Sequence, residues 1–307
     1  MSDKLAVWAE AERLFAFFKA GGAEPVDADL LQPAGTLLDL YGEDIRARAY
    51  VTQDPDAGEM MLRPDFTVPV VQTHMREGGE PARYTYMGEV FRKQQSGSDR
   101  AREYLQVGYE VFDRENPEAA DAEVFALFAE ALSPLGLRAA TGDIGVLKAA
   151  VGCLSTTGRR KAALMRHIWR PRRFRGLLDR FTGRVATDPL RLATLAMVAQ
   201  DGAEAVLERA GPRIGQRSAG DVLRRLNALA EDSAAPAIGR AEAEVLDTIL
   251  SLRETLPNAR NQLRDIAVDL PGLTPALERM ERRMEALAQA GVDVAGLPFE
   301  ASFGRTT

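Results

Sequence analysis

Two neighbouring segments of this chain alternate between two kinds of side chain, a pattern typical of extended strands. Residues 84–92 form the first segment and residues 102–112 the second, with a polar, glycine-containing turn at residues 94–99 between them. Because successive strand residues point to opposite faces, the pair predicts an antiparallel β-hairpin with one polar face. The residues of its apolar face on the second strand are Leu105, Val107, Tyr109 and Val111.

The polar face of the hairpin presents groups that suit a small ligand. Gln106 and Glu110 flank Gly108, so an amide and a carboxylate stand beside a position without a side chain. An α-ammonium group or an imidazole N–H would suit Glu110. The alternative is an ordinary solvated sheet face, on which Arg92 and Glu110 form a cross-strand pair that contributes about 0.2–1 kcal/mol. The hairpin residues alone favour this alternative.

A second polar position lies upstream, where a strand gives way to a helix. Residues 61–63 are predicted to belong to the strand, and the glycines at residues 78–79 end the helix. The hydroxyl of Thr67 can cap that helix, and Pro69 is tolerated in its first turn. Asp65 therefore lies beside a helix N-terminus, where a carboxylate and backbone donors can converge on a charged ligand. Alternatively, Asp65 only organises the turn.

The hydrophobic pattern predicts the remaining organisation. An amphipathic helix opens the chain, the alternation around Ala49 predicts a strand, and residues 137–143 predict a return strand. Beyond them the pattern is almost wholly helical, without a fixed repeat. We predict an α+β fold, an antiparallel sheet flanked by helices, with its first part in residues 1–154, a helical insertion in residues 155–290 and a return to the core sheet in residues 291–307.

A basic segment, residues 159–184, lies within the helical region. It contains ten Lys or Arg and one acid, Asp179. In an acidic protein this asymmetry favours a partner, and RNA, an acidic protein surface or a phosphate ligand would each fit. The alternative is a solvated face balanced by acids elsewhere in the fold. The aromatic residues of the segment, Trp169, Phe174 and Phe181, give only a weak stacking pattern for single-stranded RNA.

Composition argues against several classes of function. The 307 residues carry 39 basic and 45 acidic side chains, and a net charge of −6 gives no overall electrostatic footprint for nucleic acid. His74, His167 and Cys153 are too few and too far apart in sequence for a metal site or a Cys–His catalytic pair. We therefore expect neither a metal nor a cofactor. A single cysteine, a charged start and the lack of a long apolar stretch favour a cytoplasmic protein without a membrane span.

Taken in order, these motifs resemble the amino-acid pocket of a class II histidyl-tRNA synthetase. The matching segments are residues 62–67, residues 88–92 and residues 102–110. Near the chain end, residues 303–305 (Phe-Gly-Arg) resemble the start of the histidine-specific motif. The resemblance implies a class II synthetase-like fold for residues 1–154.

The same resemblance implies roles for individual residues. Asp65 corresponds to an acidic residue that contacts bound histidine, and Arg92 to the arginine that holds the phosphate of ATP and of the acyl-adenylate. Gln106 and Glu110 correspond to side chains of the histidine pocket, and Arg305 to the arginine of the histidine-specific motif.

Other positions depart from the synthetase pattern. Gln94 stands where these synthetases carry a glutamate that helps to hold adenine, and this difference puts ATP binding in doubt. The Leu-Asp-Tyr-Tyr expected after Arg305 is absent, and no motif-three arginine or anticodon-binding domain follows. We expect a family member to continue past Thr307 and to close its sheet, so that this ending is truncated or altered.

A synthetase-like pocket without the other synthetase parts resembles the ATP phosphoribosyltransferase regulatory subunit family. The resemblance implies a non-catalytic chain that assembles with the short-form catalytic ATP phosphoribosyltransferase in the first step of histidine biosynthesis and makes it sensitive to L-histidine. A homodimer within a hetero-oligomer is expected. The alternatives are a histidyl-tRNA synthetase-like enzyme or its catalytic-core fragment, and an RNA-binding module that uses the basic segment. The predicted ligand-binding residues are Asp65, Thr67, Arg92, Gln106, Glu110 and Arg305.

Overall fold

The computed structural model describes residues 4–41, 45–212 and 217–303. By compactness the chain divides into two units, Met1–Leu137 with Gln289–Val292, and Arg138–Ala288 with Asp293–Thr307. The predicted domain limits at residues 154 and 290 differ from this division and stay a prediction. In the ranges that the structure describes, no helix combines the length and the apolar character needed to cross a bilayer.

The first unit is built around the predicted hairpin. Its elements are α1 (Lys4–Ala20), β1 (Glu24–Pro25), β2 (Leu31–Pro33), α2 (Ala34–Tyr41), β3 (Val51–Asp54), β4 (Gly58–Leu62), α3 (Thr67–Glu77), β5 (Ala82–Phe91), β6 (Glu103–Phe112) and α4 (Pro117–Ala131). One sheet has the order β1-β5-β6, with β1 parallel to β5 and β5 antiparallel to β6. A second, antiparallel sheet has the order β2-β4-β3. The predicted antiparallel hairpin is therefore confirmed.

Both faces of the hairpin are covered by helices. On one face, Phe18 of α1 and Ala131 of α4 pack with Tyr109, so the predicted apolar face is confirmed. On the other, Phe66 packs with Tyr86, and their rings stack with centroids 4.4 Å apart. The predicted polar face is covered there, because these aromatic residues form a core of their own.

The first turn of α3 differs from the prediction in one respect. The helix ends at Gly78, as predicted, but Thr67 is its first residue and Phe66 occupies the N-cap position without a side-chain capping bond. The hydroxyl of Thr67 instead hydrogen-bonds to Glu110 on β6. Thr67 therefore connects α3 to the hairpin and does not cap the helix.

The strand expected around Ala49 begins later, at Val51. The backbone N–H groups of Arg48 and Ala49 donate to the carbonyl oxygen of Ile45, at 2.9 and 2.8 Å, and close a turn. This turn is favoured because Ile45 and Ala49 both pack against Met61 of β4. Core packing, and not alternation, decides the backbone here.

The second unit is mostly helical, as predicted for this part of the chain. Its elements are α5 (Ile144–Cys153), α6 (Gly158–Arg166), α7 (Pro171–Phe181), α8 (Pro189–Asp201), α9 (Ala203–Arg209), α10 (Ala219–Ala234), α11 (Arg240–Ser251), β7 (Arg253–Thr255), α12 (Leu256–Asp269), α13 (Thr274–Gln289) and β8 (Pro298–Glu300). Its fully buried side chains include Leu147, Leu164, Phe174, Leu178, Leu246, Ile249, Leu263 and Met280.

Two predicted strands of this region are placed differently. Within the described residues, the return strand expected at residues 137–143 amounts to an isolated bridge between Thr141 and Phe299. It stops there because Asp143 accepts a hydrogen bond from the N–H of Gly145 and starts α5. The segment expected to return to the core sheet forms β8, which pairs antiparallel with β7.

Candidate functional site

Arg63 holds the loop between β4 and α3 against the hairpin. It is 4% exposed, its Nε donates to the carbonyl oxygen of Glu89 at 2.8 Å, and its Nη1 donates to that of Ala28. The guanidinium lies 4.0 Å from the centre of the Phe66 ring. A Cβ at Gly88 would collide with Nη2 of Arg63, so this glycine makes room for the arginine. The sequence predicted the strand here but not this positioning role.

Three predicted site residues meet beside the hairpin. The Tyr86 hydroxyl donates to Oε1 of Glu110 at 3.4 Å, and the Thr67 hydroxyl hydrogen-bonds to the same carboxyl group. Asp65 lies near enough for its charge to act on Glu110. We call Asp65, Thr67, Tyr86 and Glu110 the carboxyl cluster. Tyr86 was not among the predicted site residues, although it lies on the same face of the hairpin as Glu110.

Burial sets the electrostatics of the carboxyl cluster. It raises the pKa of Glu110, the charge of Asp65 adds to the rise, and the hydrogen bonds with Thr67 and Tyr86 oppose it. Burial, and then the charge of Glu110, also raise the pKa of Tyr86. A cation or a hydrogen-bond donor near Asp65 and Glu110 would stabilise both carboxylates. The cluster therefore suits an ammonium group or an imidazole N–H.

The space above Gly108, which was expected to admit a ligand, is filled. Tyr86 lies directly opposite Gly108 in the hairpin register, and a Cβ at Gly108 would fall among the atoms of its ring. The prediction of a ligand lying on the sheet at this point is wrong, because the glycine accommodates a tyrosine.

Gln106 carries an unused acceptor. It lies on the same strand face as Glu110, four residues along β6, or about 13 Å of extended strand. Its Oε1 is buried and has no hydrogen-bond partner among the residues that the structure describes. An unsatisfied buried acceptor costs about 1–3 kcal/mol, so a ligand N–H would be favourable there.

Arg92 lies toward the other end of the hairpin. Its Nε donates to the carbonyl oxygen of Pro64 at 2.8 Å, and its guanidinium lies 5.5 Å from the centre of the Tyr104 ring. Glu110 pairs with Tyr84, and the eight residues from Tyr84 to Arg92 correspond to about 26 Å of strand. The alternative of a cross-strand pair between Arg92 and Glu110 is therefore wrong.

Arg92 borders a cavity of about 510 Å³ that is rich in cations. The lining residues are Arg48, Arg92, Lys93, Gln94, Arg100, Ala101 and Tyr104, none of which is acidic. The backbone N–H of Lys93 donates to the carbonyl oxygen of Arg48 at 2.7 Å and joins the two walls. This cation cavity suits an anion such as a phosphate. The sequence predicted Arg92 but not the other three cations, since Arg48 comes from a distant turn.

The loop at residues 64–67 connects the two subsites, because Pro64 accepts from Arg92 while Thr67 bonds to Glu110. Arg305 lies outside the described residues. In those that are described, no group of three or more His, Cys, Asp or Glu side chains is arranged to hold a metal ion.

Comparison with known proteins identifies the family to which this sequence is similar. The model of the histidyl-tRNA synthetase family matches residues 6–251. The ATP phosphoribosyltransferase regulatory subunit of Brucella anthropi is 33% identical over 299 residues, which cover 92% of this chain and 78% of that protein. The chain belongs to the ATP phosphoribosyltransferase regulatory subunit family. The regulatory subunit of Brucella ovis is likewise 33% identical, over 298 residues with the same coverage.

Solved structures show the fold of this regulatory subunit family member. An ATP phosphoribosyltransferase regulatory subunit/histidyl-tRNA synthetase from Bacillus halodurans gives a TM-score of 0.61 at 18% identity and covers 96% of this chain. A histidyl-tRNA synthetase from a Nostoc species gives 0.58 at 14% identity and covers 98% of this chain. The chain spans 63% and 58% of these two solved chains. The predicted family and the predicted class II synthetase-like fold are both confirmed.

Proposed function

We propose that this chain is a non-catalytic regulatory subunit that assembles with the short-form catalytic ATP phosphoribosyltransferase. It acts in the first step of histidine biosynthesis, and L-histidine is the effector that it senses. The relatives from Brucella carry the name of this subunit. The observation that carries the proposal is the carboxyl cluster, which lies in the segments that resemble a histidine pocket.

Histidine has groups that match the polar side chains of this region. Its α-ammonium group and imidazole N–H can donate to Asp65 and Glu110, and the unsatisfied Oε1 of Gln106 offers a further acceptor. Arg92 is assigned to an anionic group, and Arg305 keeps its predicted ligand role. Feedback inhibition requires histidine to bind the inactive assembly more tightly than the active one, with a coupling of about 1–3 kcal/mol.

Gln94 supports a role without aminoacylation. Its Nε2 donates to the carbonyl oxygen of Ala101 at 3.1 Å at the edge of the cation cavity. A neutral amide in this bond does not supply the carboxylate with which a synthetase holds adenine. The cavity keeps the chemistry to hold an anion but lacks this contact to ATP.

The test is phosphoribosyl-ATP formation by a matched short catalytic chain, with and without this chain, and then with histidine. We expect activation that histidine reverses. Glu110→Gln should raise the histidine concentration needed for inhibition by tenfold or more, because it removes a charged acceptor. Glu103→Gln, an exposed position on the same strand, is the matched control and should leave the inhibition unchanged.

This assay tests the regulatory role and the position of the histidine site separately. Activation by both variants with unchanged inhibition would place histidine elsewhere but leave the regulatory role intact. No activation by folded wild-type chain would refute the regulatory role itself.

A histidyl-tRNA synthetase-like enzyme is the second candidate, because the cation cavity retains anion-binding chemistry. Histidine-dependent exchange of pyrophosphate into ATP would support it. If the exchange rate stays at background while the same preparation activates the catalytic chain, this candidate is excluded.

We also propose that the chain works in the cytoplasm as a homodimer within a hetero-oligomer, as its family resemblance implies. Light-scattering masses of the chain alone and mixed with the catalytic chain test the assembly. A monomer that stays separate from the catalytic chain would contradict it.

A further inference from the structure

The loop at residues 64–67 lies between two anchors on the hairpin. Before it, the backbone N–H of Phe91 donates to the carbonyl oxygen of Arg63 at 3.0 Å. Toward its end, the side chain of Phe66 is fully buried. Between these anchors lies Pro64, whose backbone has no N–H to donate. The carbonyl oxygen is therefore the only backbone group by which a hydrogen bond can fix Pro64.

Arg92 supplies the hydrogen bond that fixes Pro64. Its Nε donates to the carbonyl oxygen of Pro64 at 2.8 Å, from a position 28 residues away in sequence. Pro64 is a buried residue, and leaving a buried acceptor without its donor is costly. This bond should therefore persist when a ligand approaches Arg92.

The rest of the Arg92 guanidinium is available to the cation cavity, which it lines with Arg48, Lys93 and Arg100. Among the described residues, no acceptor is bonded to Nη1 or Nη2 of Arg92. A phosphate oxygen can bind these atoms by charge-assisted hydrogen bonds while Nε stays on Pro64. Four cations without an acid favour an anion with several negative charges, of the phosphate or pyrophosphate class.

The other end of the same loop belongs to the carboxyl cluster. The Thr67 hydroxyl hydrogen-bonds to Glu110, and the charge of Asp65 acts on the same carboxyl group. Three steps along the chain separate Pro64 from Thr67, which is about 10 Å at most. Arg92 and Glu110 are about 26 Å apart along the hairpin, well beyond the screening length of about 8 Å at physiological salt. The loop is therefore the physical connection between the two subsites.

We propose that a phosphate or pyrophosphate group bound in the cation cavity strengthens ligand binding at the carboxyl cluster. It holds the Arg92 guanidinium in place and thereby fixes Pro64. The loop then orders Asp65 and Thr67 beside Glu110. Ordering these groups in advance removes part of the entropic cost of binding a second ligand there, so the two subsites are positively coupled. That this second ligand is histidine rests on the proposed function.

Amide hydrogen exchange of the full chain tests the ordering of the loop. Saturating pyrophosphate should slow exchange at residues 65–67 by about fivefold or more, the lower end of typical coupling between two sites. Sodium chloride at the same ionic strength is the control and should not slow it. Unchanged exchange at saturating pyrophosphate overturns the proposal.

The source of the anion is tested with ADP, which carries the same diphosphate group on a nucleoside. ADP should slow exchange at residues 65–67 as pyrophosphate does, because the cavity binds the phosphate groups. Slowing by ADP alone would overturn the assignment to this group.

Two variants separate the role of Arg92 from that of charge alone. Arg92→Lys keeps the charge but loses the fixed fork of donors, so saturating pyrophosphate should no longer slow exchange at residues 65–67. Arg100→Gln is the matched control, because it removes a charge from the cavity and leaves the bond to Pro64 intact. It should weaken pyrophosphate binding, but saturation should still slow the exchange. Full slowing in an Arg92→Lys chain that circular dichroism shows to be folded overturns the proposal.

Histidine binding tests the coupling without any substitution. Measured by calorimetry, saturating pyrophosphate should raise the affinity for L-histidine about fivefold or more, and saturating histidine should raise the affinity for pyrophosphate by the same factor. Equal histidine affinity with and without pyrophosphate overturns the coupling, as does the absence of saturable pyrophosphate binding. Slowed exchange without any histidine binding would support the ordering of the loop and refute the histidine assignment of the proposed function.

Discussion

At Gly108 a tyrosine ring from the neighbouring strand fills the volume that a side chain would need. The same ring, that of Tyr86, packs nearly parallel to Phe66 with an angle of 10° between their planes. Its hydroxyl donates to Glu110. One glycine thus allows an aromatic side chain to be buried and to bring a hydroxyl group to the carboxyl cluster.

Gly108→Ala should destabilise the chain by about 1–3 kcal/mol, because the added methyl group forces the Tyr86 ring away from Phe66. Urea unfolding measures the change in the free energy of unfolding. Gly176→Ala on α7 is the control, since a Cβ there meets nothing within 4 Å. It should be neutral or stabilise by up to about 1 kcal/mol. Wild-type stability for Gly108→Ala would show that the ring has room to move.

Glu110 should make stability depend on pH in a defined direction. Burial raises the pKa of Glu110 above the ordinary 4.5. Between the unfolded and the folded pKa, the folded chain therefore keeps a proton that the unfolded chain has already lost. Its contribution to stability therefore falls as pH rises from the unfolded pKa through the folded one. Glu110→Gln should be more stable than wild type at neutral pH by a few tenths of a kcal/mol. This expected gain is small because solvent screens the charge of the partly exposed carboxylate.

Thermal unfolding at about pH 7.5 and about pH 4 checks the sign, since the difference should disappear once wild-type Glu110 is protonated. A less stable Glu110→Gln at neutral pH would mean that the hydrogen bonds from Tyr86 and Thr67 to the carboxylate outweigh the cost of its burial.

At the scale of secondary-structure elements, the hairpin and the start of α3 form one structural group. Alternation in the sequence predicted both strands, because the period of a strand is a local property. It did not predict that α3 covers the second face, because that depends on contact between Phe66 and Tyr86, which are distant in sequence. The positioning role of Arg63 could not be predicted for the same reason. The sequence pattern places Arg63 at the end of a strand, and the residues whose carbonyl groups accept its hydrogen bonds, Ala28 and Glu89, are distant in sequence.

Arg63→Met should cost about 3 kcal/mol of stability, because it leaves the carbonyl groups of Glu89 and Ala28 without their donors. Arg63→Lys should restore little, since an ammonium group cannot reproduce the fork of donors. Arg76→Met, an exposed arginine of α3, is the control and should change stability by less than about 0.5 kcal/mol. Urea unfolding of the three variants measures these differences. A lysine variant with wild-type stability would contradict the role of the fork.

At the scale of the whole molecule, short motifs in the right order were sufficient to predict the family and the fold class. The packing of the second unit was not predictable in the same way. Arg160 donates a hydrogen bond to Asp232, and Arg175 donates one to Asp247, although each pair is separated by more than seventy residues of sequence. Helical periodicity predicts that such helices form but not which of them meet. The structure brings Asp65, Thr67 and Glu110 together in the carboxyl cluster and places Arg92 at a separate cavity, while their ligand-binding roles stay a prediction.

Histidine binding should appear in the stability of the whole chain. A ligand that binds only the folded state stabilises it by mass action, by about 2.7 kcal/mol at a concentration one hundred times its dissociation constant. L-Histidine should therefore raise the melting temperature in proportion to the logarithm of its concentration. Glu110→Gln should abolish most of this rise and Glu103→Gln should keep it, because Glu103 lies at the exposed start of β6.

L-Alanine, which has the ammonium group but not the imidazole ring, should give a much smaller rise than histidine. An equal rise with both amino acids would mean that the carboxyl cluster recognises the ammonium group alone, and that the imidazole ring makes no specific contact with this chain.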